Sequence, residues 1–180
     1  MAKVAIIYYS STGTTYQLAK AVEEGAREAG AETRLLKVRE TAPEAAMDDL
    51  TWADAVIFGT PTRYGGATSQ LRAFIDQTGG LWASGALANK IGSSFTSTAT
   101  SHGGQESTIL SLNTIFYHWG AIIVAPGYVD PIQFQSGNPY GVSFTSQNGA
   151  VSPDEVAINA ARFQGRRVAE VTAQFLKGKE

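Results

Sequence analysis

The sequence of 180 residues contains no cysteine. It therefore forms no disulfide and offers no thiolate ligand for zinc or iron–sulfur clusters and no thiol nucleophile. Histidine is almost as scarce, because the two present are His102 and His118, and we expect no metal site. If this chain carries out redox chemistry, an organic cofactor has to carry the electrons.

An excess of charge of one sign is also lacking, because 14 basic and 16 acidic residues give a net charge of −2. Nucleic-acid binding depends on clustered positive charge, so we expect no nucleic-acid partner. The longest apolar runs, Val4–Tyr9 and Ala121–Pro126, are too short to cross a bilayer. A Ser/Thr cluster follows the first run where a signal peptide would carry a cleavage site. We therefore expect a cytoplasmic protein without stable membrane association.

Short apolar runs alternate with segments of helical periodicity. Five of these runs predict strands, namely Val4–Tyr9, Thr33–Val38, Ala55–Gly59, Lys90–Phe95 and Ala121–Ala125. Such alternation predicts one α/β domain over residues 1–180, with a parallel sheet between two layers of helices. Five strands fit the doubly wound, flavodoxin-like order 2-1-3-4-5 better than a larger dinucleotide-binding fold.

The segment Gly127–Val151 interrupts this alternation. It is rich in Gly, Asn, Ser, Gln and Pro, and it predicts a long loop. Its four aromatic residues, among them Tyr128 and Phe134, argue against simple disorder. We expect the segment to be functional or interfacial.

Three loops rich in glycine and hydroxyl side chains follow predicted strands 1, 3 and 4: Ser10–Thr15, Pro61–Gly66 and Thr96–Gly104. In a doubly wound sheet these loops converge where the strand order reverses, which is where ligands bind. The first loop also opens a helix, whose free N–H groups favour an anion. An N-terminal cap without any ligand remains the alternative for this loop.

Other occupants of such a sheet do not fit the first loop. It lacks the Gly-Lys-Ser/Thr of a Walker motif and the three glycines of a dinucleotide fingerprint. The carboxylates of a phosphoacceptor domain and the cysteine of a small tyrosine phosphatase are missing as well. A monophosphate held by hydroxyl and backbone groups is the ligand that this loop favours.

Several motifs together resemble the WrbA-type flavoproteins, namely Ser10–Thr15, Gly59–Gly65, Phe74–Ala83, Gly103–Glu106 and Pro139–Gly141. The resemblance extends from residue 2 to about residue 175. It implies a flavodoxin-like FMN protein that acts as an NAD(P)H:quinone oxidoreductase, with NADH or NADPH as co-substrate. It also implies hydride transfer to flavin N5, then two-electron reduction of a quinone in the same pocket, with ping-pong kinetics.

The resemblance also assigns residues to the cofactor and the substrates. The FMN phosphate would occupy the loop of Ser10, Ser11, Thr12, Gly13, Thr14 and Thr15. The ring would lie against Pro61, Thr62, Arg63, Tyr64 and Gly65. The ribityl chain and the far edge of the ring would contact Ser97, Thr98, Ala99, Thr100 and Gly103. The substrate pocket would be lined by Tyr64, Trp119 and Trp82, the last contributed by a neighbouring subunit.

His118 is the candidate catalytic residue, as a proton source near the quinone. The family pattern has His-His-Gly where this chain has His118-Trp119-Gly120, so we expect Trp119 to provide a stacking or packing surface. Simpler interpretations compete with these roles: a packed His118, a Trp82 in the core or an interface, and an Arg63 paired with Asp76 or Glu106.

Two other classes of function remain open. A flavodoxin-type one-electron carrier needs a strongly acidic docking face, which a net charge of −2 does not supply. A flavin-binding regulatory or scaffold protein would bind FMN without oxidising NAD(P)H. The aromatic segment and the excursion at Trp82 predict a homo-oligomer, a dimer or a homotetramer.

Overall fold

In a computed structural model, residues 1–38 and 46–178 are described. Within these residues the strands are β1 Lys3–Tyr8, β2 Glu32–Lys37, β3 Ala55–Arg63, β4 Gly66–Ala67, β5 Ile91–Thr98, β6 Ile122–Ile123 and β7 Ser143–Thr145. The α-helices are α1 Thr14–Glu28, α2 Met47–Trp52, α3 Ser69–Asp76, α4 Gly79–Ala83, α5 Gln105–Trp119, α6 Pro131–Ser136 and α7 Glu155–Lys177. None of the described helices is both long and apolar enough to cross a membrane.

The main sheet is parallel and has the order β2-β1-β3-β5-β6. The α/β class and the flavodoxin-like arrangement are therefore confirmed. The predicted number of five strands is wrong, because the described residues form seven. The additional strands are β4, which pairs antiparallel with the end of β3, and β7, which pairs with the end of β5. They have two and three residues, too few to give a hydrophobic pattern in the sequence.

Strand β1 shows why a continuous apolar run predicted a buried strand. Side chains alternate between the two faces of a sheet, so Val4 and Ile6 enter one core cluster while Ala5 and Ile7 enter the other. The first cluster includes residues of α1 and α7, and the second includes residues of α3 and α5. Both faces of the sheet are thus covered by helices.

Helices α1 and α7 approach each other through two glycines. A Cβ atom placed on Gly25 would lie 1.9 Å from the carbonyl oxygen of Arg162. A Cβ atom on Gly165 would lie 1.9 Å from the carbonyl oxygen of Val22. Each glycine therefore makes room for the backbone of the other helix, and this close contact fixes the helix that begins with the first predicted loop.

The predicted long loop Gly127–Val151 contains short elements of regular structure. Helix α6, strand β7 and a 3₁₀ turn at Gln147–Gly149 lie within it. Thr96 pairs with Ser143 and Thr98 pairs with Thr145, so β7 lies beside the C-terminal half of β5. The segment is therefore carried back to the edge of the sheet where the strands end.

Candidate functional site

The carboxyl ends of β1, β3 and β5 lie side by side. Tyr8 is in register with Gly59, and Pro61 is in register with Ser97. The loops that follow these strands surround a cleft lined by Ser11, Thr12, Pro61, Thr62, Arg63, Ser97, Thr98, Ala99, Ser146 and Asn148. Eight of these ten residues belong to the set predicted to bind the cofactor, so the structure brings much of that set together.

The first loop presents the start of α1 to the cleft. Gly13 is the capping residue of this helix, has a left-handed φ of 96° and has no side chain that could accept an N–H of the first turn. The first residues of a helix have no intrahelical partner for their N–H groups. Those of Ser11, Thr12, Thr14 and Thr15 have no other partner within residues 1–38 and 46–178. Thr14 and Thr15 are almost fully buried, whereas Ser11 and Thr12 are exposed. Free N–H groups at a helix start favour an anion as ligand.

Two hydroxyl side chains hold the first loop in shape. The Ser10 oxygen accepts hydrogen bonds from the N–H groups of Gly13 and Tyr16, at 3.2 and 3.3 Å. The hydroxyl groups of Thr15 and Ser97 lie 2.8 Å apart and are hydrogen-bonded. The loop is therefore formed by the chain's own contacts and joined to β5.

The second loop is the turn between β3 and β4. The Arg63 guanidinium donates to the Ser11 hydroxyl at 3.1 Å and to the Thr62 carbonyl at the same distance. It forms no ion pair with Asp76 or Glu106 in the described part of the chain, so its positive charge stays at the mouth of the cleft.

Tyr64 and Gly65 form the tip of this turn. Tyr64 has a φ of 50° and a fully exposed ring, so a side chain in a strained backbone conformation is presented to solvent. The Gly65 carbonyl accepts a hydrogen bond of 2.8 Å from the hydroxyl of Ser107. The turn is therefore anchored to α5 while the ring of Tyr64 stays available.

The third loop begins where β5 ends. The Thr98 hydroxyl donates to the Thr100 carbonyl at 2.7 Å, and the Gly103 N–H donates to the same carbonyl at 3.1 Å. The Gln105 amide donates to the hydroxyls of Thr98 and Thr145, at 3.1 and 2.9 Å. These bonds close the loop into a compact turn beside β7.

Ser146 and Asn148 were missed as site residues by the sequence. They belong to the turn after β7. In this turn the Ser146 N–H donates a hydrogen bond to the Thr98 carbonyl at 2.8 Å. The dipeptide Asn148-Gly149 is a turn signal, and it is the one sequence feature that pointed here. Nothing local indicated that β7 would carry this turn to the cleft.

Trp82 and His118 lie away from the cleft of their own chain. Helix α5 starts beside the third loop and is about 22 Å long, at roughly 1.5 Å per residue. His118 is in its last turn, next to Gly120, whose carbonyl accepts the N–H of Asn89 just before β5 begins. Both residues are therefore at the edge where the strands start, and neither reaches the predicted pocket within one chain.

Trp119 does not face a pocket. Its ring is 6% exposed and packs edge-on against Phe58 and Phe116, with centroids 5.8 and 5.6 Å away. The prediction that it lines a substrate pocket is therefore wrong for this chain. Stacking and packing were the two roles expected for Trp119. The structure supports packing, because the Trp119 side chain points into the core while that of the preceding residue, His118, is exposed.

The cleft combines backbone donors, hydroxyl groups and one guanidinium, and none of its lining residues is a carboxylate. That donor set, at the point where the strand order reverses, fits the phosphate and ribityl chain of FMN. Fold and site together define a flavodoxin-like nucleotide-binding protein.

Comparison with known proteins gives the same class in finer detail. Residues 2–131 match the family model described as NADPH-dependent FMN reductase. A protein of Deinococcus radiodurans named NAD(P)H dehydrogenase (quinone) is 47% identical, over 97% of both chains. A protein of the same name from Sinorhizobium fredii is 45% identical, over 97% of this chain and 99% of its own.

A solved structure shares the whole fold as well. The flavodoxin, WrbA-like protein from Agrobacterium tumefaciens superimposes with a TM-score of 0.78 and 28% identity, over 97% of this chain and 99% of that one. The chain belongs to the NADPH-dependent FMN reductase family.

Proposed function

We propose that this protein is an FMN-dependent NAD(P)H:quinone oxidoreductase. The names of its relatives support this activity, since proteins named NAD(P)H dehydrogenase (quinone) match nearly its whole length at 45 and 47% identity. The observation that carries the proposal is the set of N–H groups at the start of α1 that have no partner among the described residues, next to a cleft lined by Ser11 and Thr12.

The first loop would hold the FMN phosphate. Its donors are the N–H groups of Ser11, Thr12, Thr14 and Thr15, and the left-handed Gly13 lets the backbone approach closely. Arg63 adds a positive charge that already contacts Ser11. When bound, FMN supplies an acceptor for the hydride of NADH or NADPH and a donor of two electrons to a quinone.

The other two loops would orient the flavin ring and the ribityl chain. Pro61, Thr62, Arg63 and Gly65 flank the ring, with Tyr64 at its edge as a stacking surface. Ser97, Thr98, Ala99, Thr100 and Gly103 contact the ribityl chain and the far edge. These roles are the ones that the resemblance to the WrbA-type flavoproteins implies, and the position of both loops beside the first loop supports them.

Trp82 and His118 would act in the site of a neighbouring subunit. Both lie at the opposite edge of their own sheet, and Trp82 is 55% exposed although it is a large aromatic side chain. Tyr117 beside them is also exposed, so this corner has apolar surface for a second copy to cover. In that arrangement Trp82 stacks on the substrate and His118 supplies a proton, and the protein is a homo-oligomer, a dimer or a tetramer.

The test uses the purified protein loaded with FMN. We expect a flavin absorption spectrum and NADH or NADPH oxidation that is fast only with benzoquinone. Initial rates at several concentrations of both substrates should give parallel double-reciprocal lines, because both substrates use one pocket in turn. FMN binding without NAD(P)H oxidation would favour a regulatory or scaffold protein, and transfer of single electrons would favour a flavodoxin-type carrier. A chain that takes up no FMN would end the proposal.

Two further features belong to the same proposal. Light scattering would give the oligomeric state, and a monomer would contradict the role of Trp82 in a neighbouring site. We also propose a cytoplasmic location, which cell fractionation would test.

A further inference from the structure

The cleft has a fourth wall, formed by Ser146–Gly149. Ser146 and Asn148 line the cleft together with the residues of the three predicted loops. The wall follows β7, which the sequence did not predict, and none of the roles described above includes it.

This wall is a turn with an unusual backbone. Gln147, Asn148 and Gly149 have φ angles of 48°, 58° and 88°, so three successive residues are in the left-handed region. Asparagine is one of the few residues with a side chain that adopt this conformation readily. The turn therefore places position 148 in the lining of the cleft.

Contacts on both sides hold the turn between the first and third loops. The Ser146 hydroxyl donates to the Thr98 carbonyl at 3.1 Å, and the Gly149 N–H donates to the Ser146 carbonyl at 2.9 Å. On the other side, a Cβ atom on Gly149 would lie 2.6 Å from the Cβ of Thr12. The glycine thus lets the turn approach the middle of the first loop, and Asn148 is the residue beside that contact.

The Asn148 amide is free to bind a ligand. Its side chain is exposed and has no hydrogen-bond partner among residues 1–38 and 46–178. An amide nitrogen offers two N–H donors. The turn residues Ser146–Gly149 carry no charge, so no carboxylate on the turn opposes an anion there.

We infer that the Asn148 side-chain amide donates a hydrogen bond to the phosphoryl group held by the first loop. This inference rests on the proposed function, because it takes the phosphorylated flavin as the ligand. The phosphate is then enclosed from two sides, by the start of α1 and by the turn after β7. Asn148 is a specificity-determining residue for the phosphorylated form of the cofactor.

The test compares FMN with riboflavin, which lacks the phosphate. Dissociation constants are measured by quenching of flavin fluorescence, using the full chain freed of cofactor. The variant Asn148→Gly removes the amide and keeps a residue that adopts positive φ, and Gln147→Gly is the matched control on the same turn outside the cleft lining. We expect N148G to raise the dissociation constant for FMN about tenfold, as for the loss of one hydrogen bond to a charged group, and to leave that for riboflavin within about twofold.

A charge at the same place gives a second measurement. Asn148→Asp keeps the size of the side chain and brings a carboxylate to the phosphate, so FMN should bind more weakly than to N148G. Added salt should reduce this loss through screening, and Gln147→Asp should show a much smaller effect. Circular dichroism of each variant confirms that it folds.

The outcomes separate the inference from the proposed function. Unchanged FMN affinity in both Asn148 variants, equal losses for FMN and riboflavin, or an equal loss in Q147G would overturn the role of the amide and leave the proposed function standing. If the wild-type chain binds no FMN, the proposed function fails and the inference fails with it.

Discussion

The indole N–H of Trp82 donates a hydrogen bond to the backbone carbonyl of His118, with 2.8 Å between Nε1 and oxygen. This bond joins the short helix α4 to the last turn of α5. It holds a half-exposed aromatic ring in one orientation at the edge of the sheet opposite the cleft. A ring fixed in this way loses little conformational freedom when another molecule covers it.

The first prediction concerns the subunit in which Trp82 acts. We expect Trp82→Ala to lower quinone reduction up to about tenfold, the size of a lost stacking contact, without changing FMN affinity. Trp82→Phe keeps a ring and should retain most of the activity.

Mixing two subunits with different defects tests the same prediction directly. Thr12→Asp places a carboxylate in the first loop, so this subunit should lose FMN while its Trp82 stays intact. When W82A and T12D subunits are refolded together, the mixture should be more active than the sum of the separate samples. Activity that never exceeds that sum would contradict a shared site.

A second prediction compares two glycines with the same backbone requirement. Gly13 and Gly30 both have left-handed φ angles, and a Cβ atom on either would meet nothing within 4 Å. Gly13→Ala and Gly30→Ala should each destabilise the fold by roughly 1–2 kcal/mol. Only Gly13→Ala should also weaken FMN binding, because Gly30 follows the far end of α1. Thermal unfolding and flavin titration measure the two effects, and equal FMN affinity in both variants would count against the first loop as the phosphate site.

The third prediction concerns the contact between α1 and α7. Gly165→Ala would push a methyl group into the Val22 carbonyl, and overpacking of this kind costs about 1–3 kcal/mol. Gly79→Ala is the control, since Gly79 is also helical and has open space around its Cβ position. We expect the control to be neutral or slightly stabilising, because alanine favours helix more than glycine does. A stable Gly165→Ala variant in urea unfolding would show that the two helices can move apart.

The fourth prediction tests the buried amide of Gln164. Its oxygen accepts the Val142 N–H at 2.8 Å, and its nitrogen donates to the Ser93 hydroxyl at 2.8 Å and the Ser94 carbonyl at 2.9 Å. Gln164→Leu has similar volume but removes these partners. The Ser93 hydroxyl keeps its bond to the Val124 carbonyl, whereas the Val142 N–H loses its acceptor, which costs about 1–3 kcal/mol for a buried group. The same change at Gln174, an exposed residue of the same helix, should alter stability by less than about 0.5 kcal/mol. Equal unfolding midpoints for the two variants would contradict this role.

Much of the fold was readable from local patterns. The runs at Val4–Tyr9 and Ala55–Gly59 predicted β1 and β3 because strands buried on both faces are continuously apolar. The fifth predicted strand, Ala121–Ala125, shrinks to Ile122–Ile123, since only these two residues are in register with β5. Strand β7 could not be predicted, because Ser143–Thr145 becomes a strand only by pairing with a distant partner.

The site was predictable to the same degree. The three loops follow strands whose order fixes where they meet, so Ser11, Thr62 and Thr98 could be placed together from the sequence. Asn148 could not, because its position depends on β7 and on the close approach of Gly149 to Thr12. The sequence left stacking and packing open for Trp119, because an indole fits a pocket and a core equally well and only the direction of its side chain on α5 decides between them.

The pairing of β5 has a consequence for how the protein is made. Along one edge of β5, β6 pairs with the N-terminal end of the strand and β7 pairs with its C-terminal end. Between β6 and β7 the chain leaves the sheet and then returns to it. Thr12 and Gly149 lie close together although most of the sequence separates them, and contacts between such distant positions slow folding because a long loop has to close first. During synthesis on the ribosome, the first loop therefore emerges long before the turn at Ser146–Gly149. We expect stable binding of the flavin only after nearly the whole domain has been synthesised.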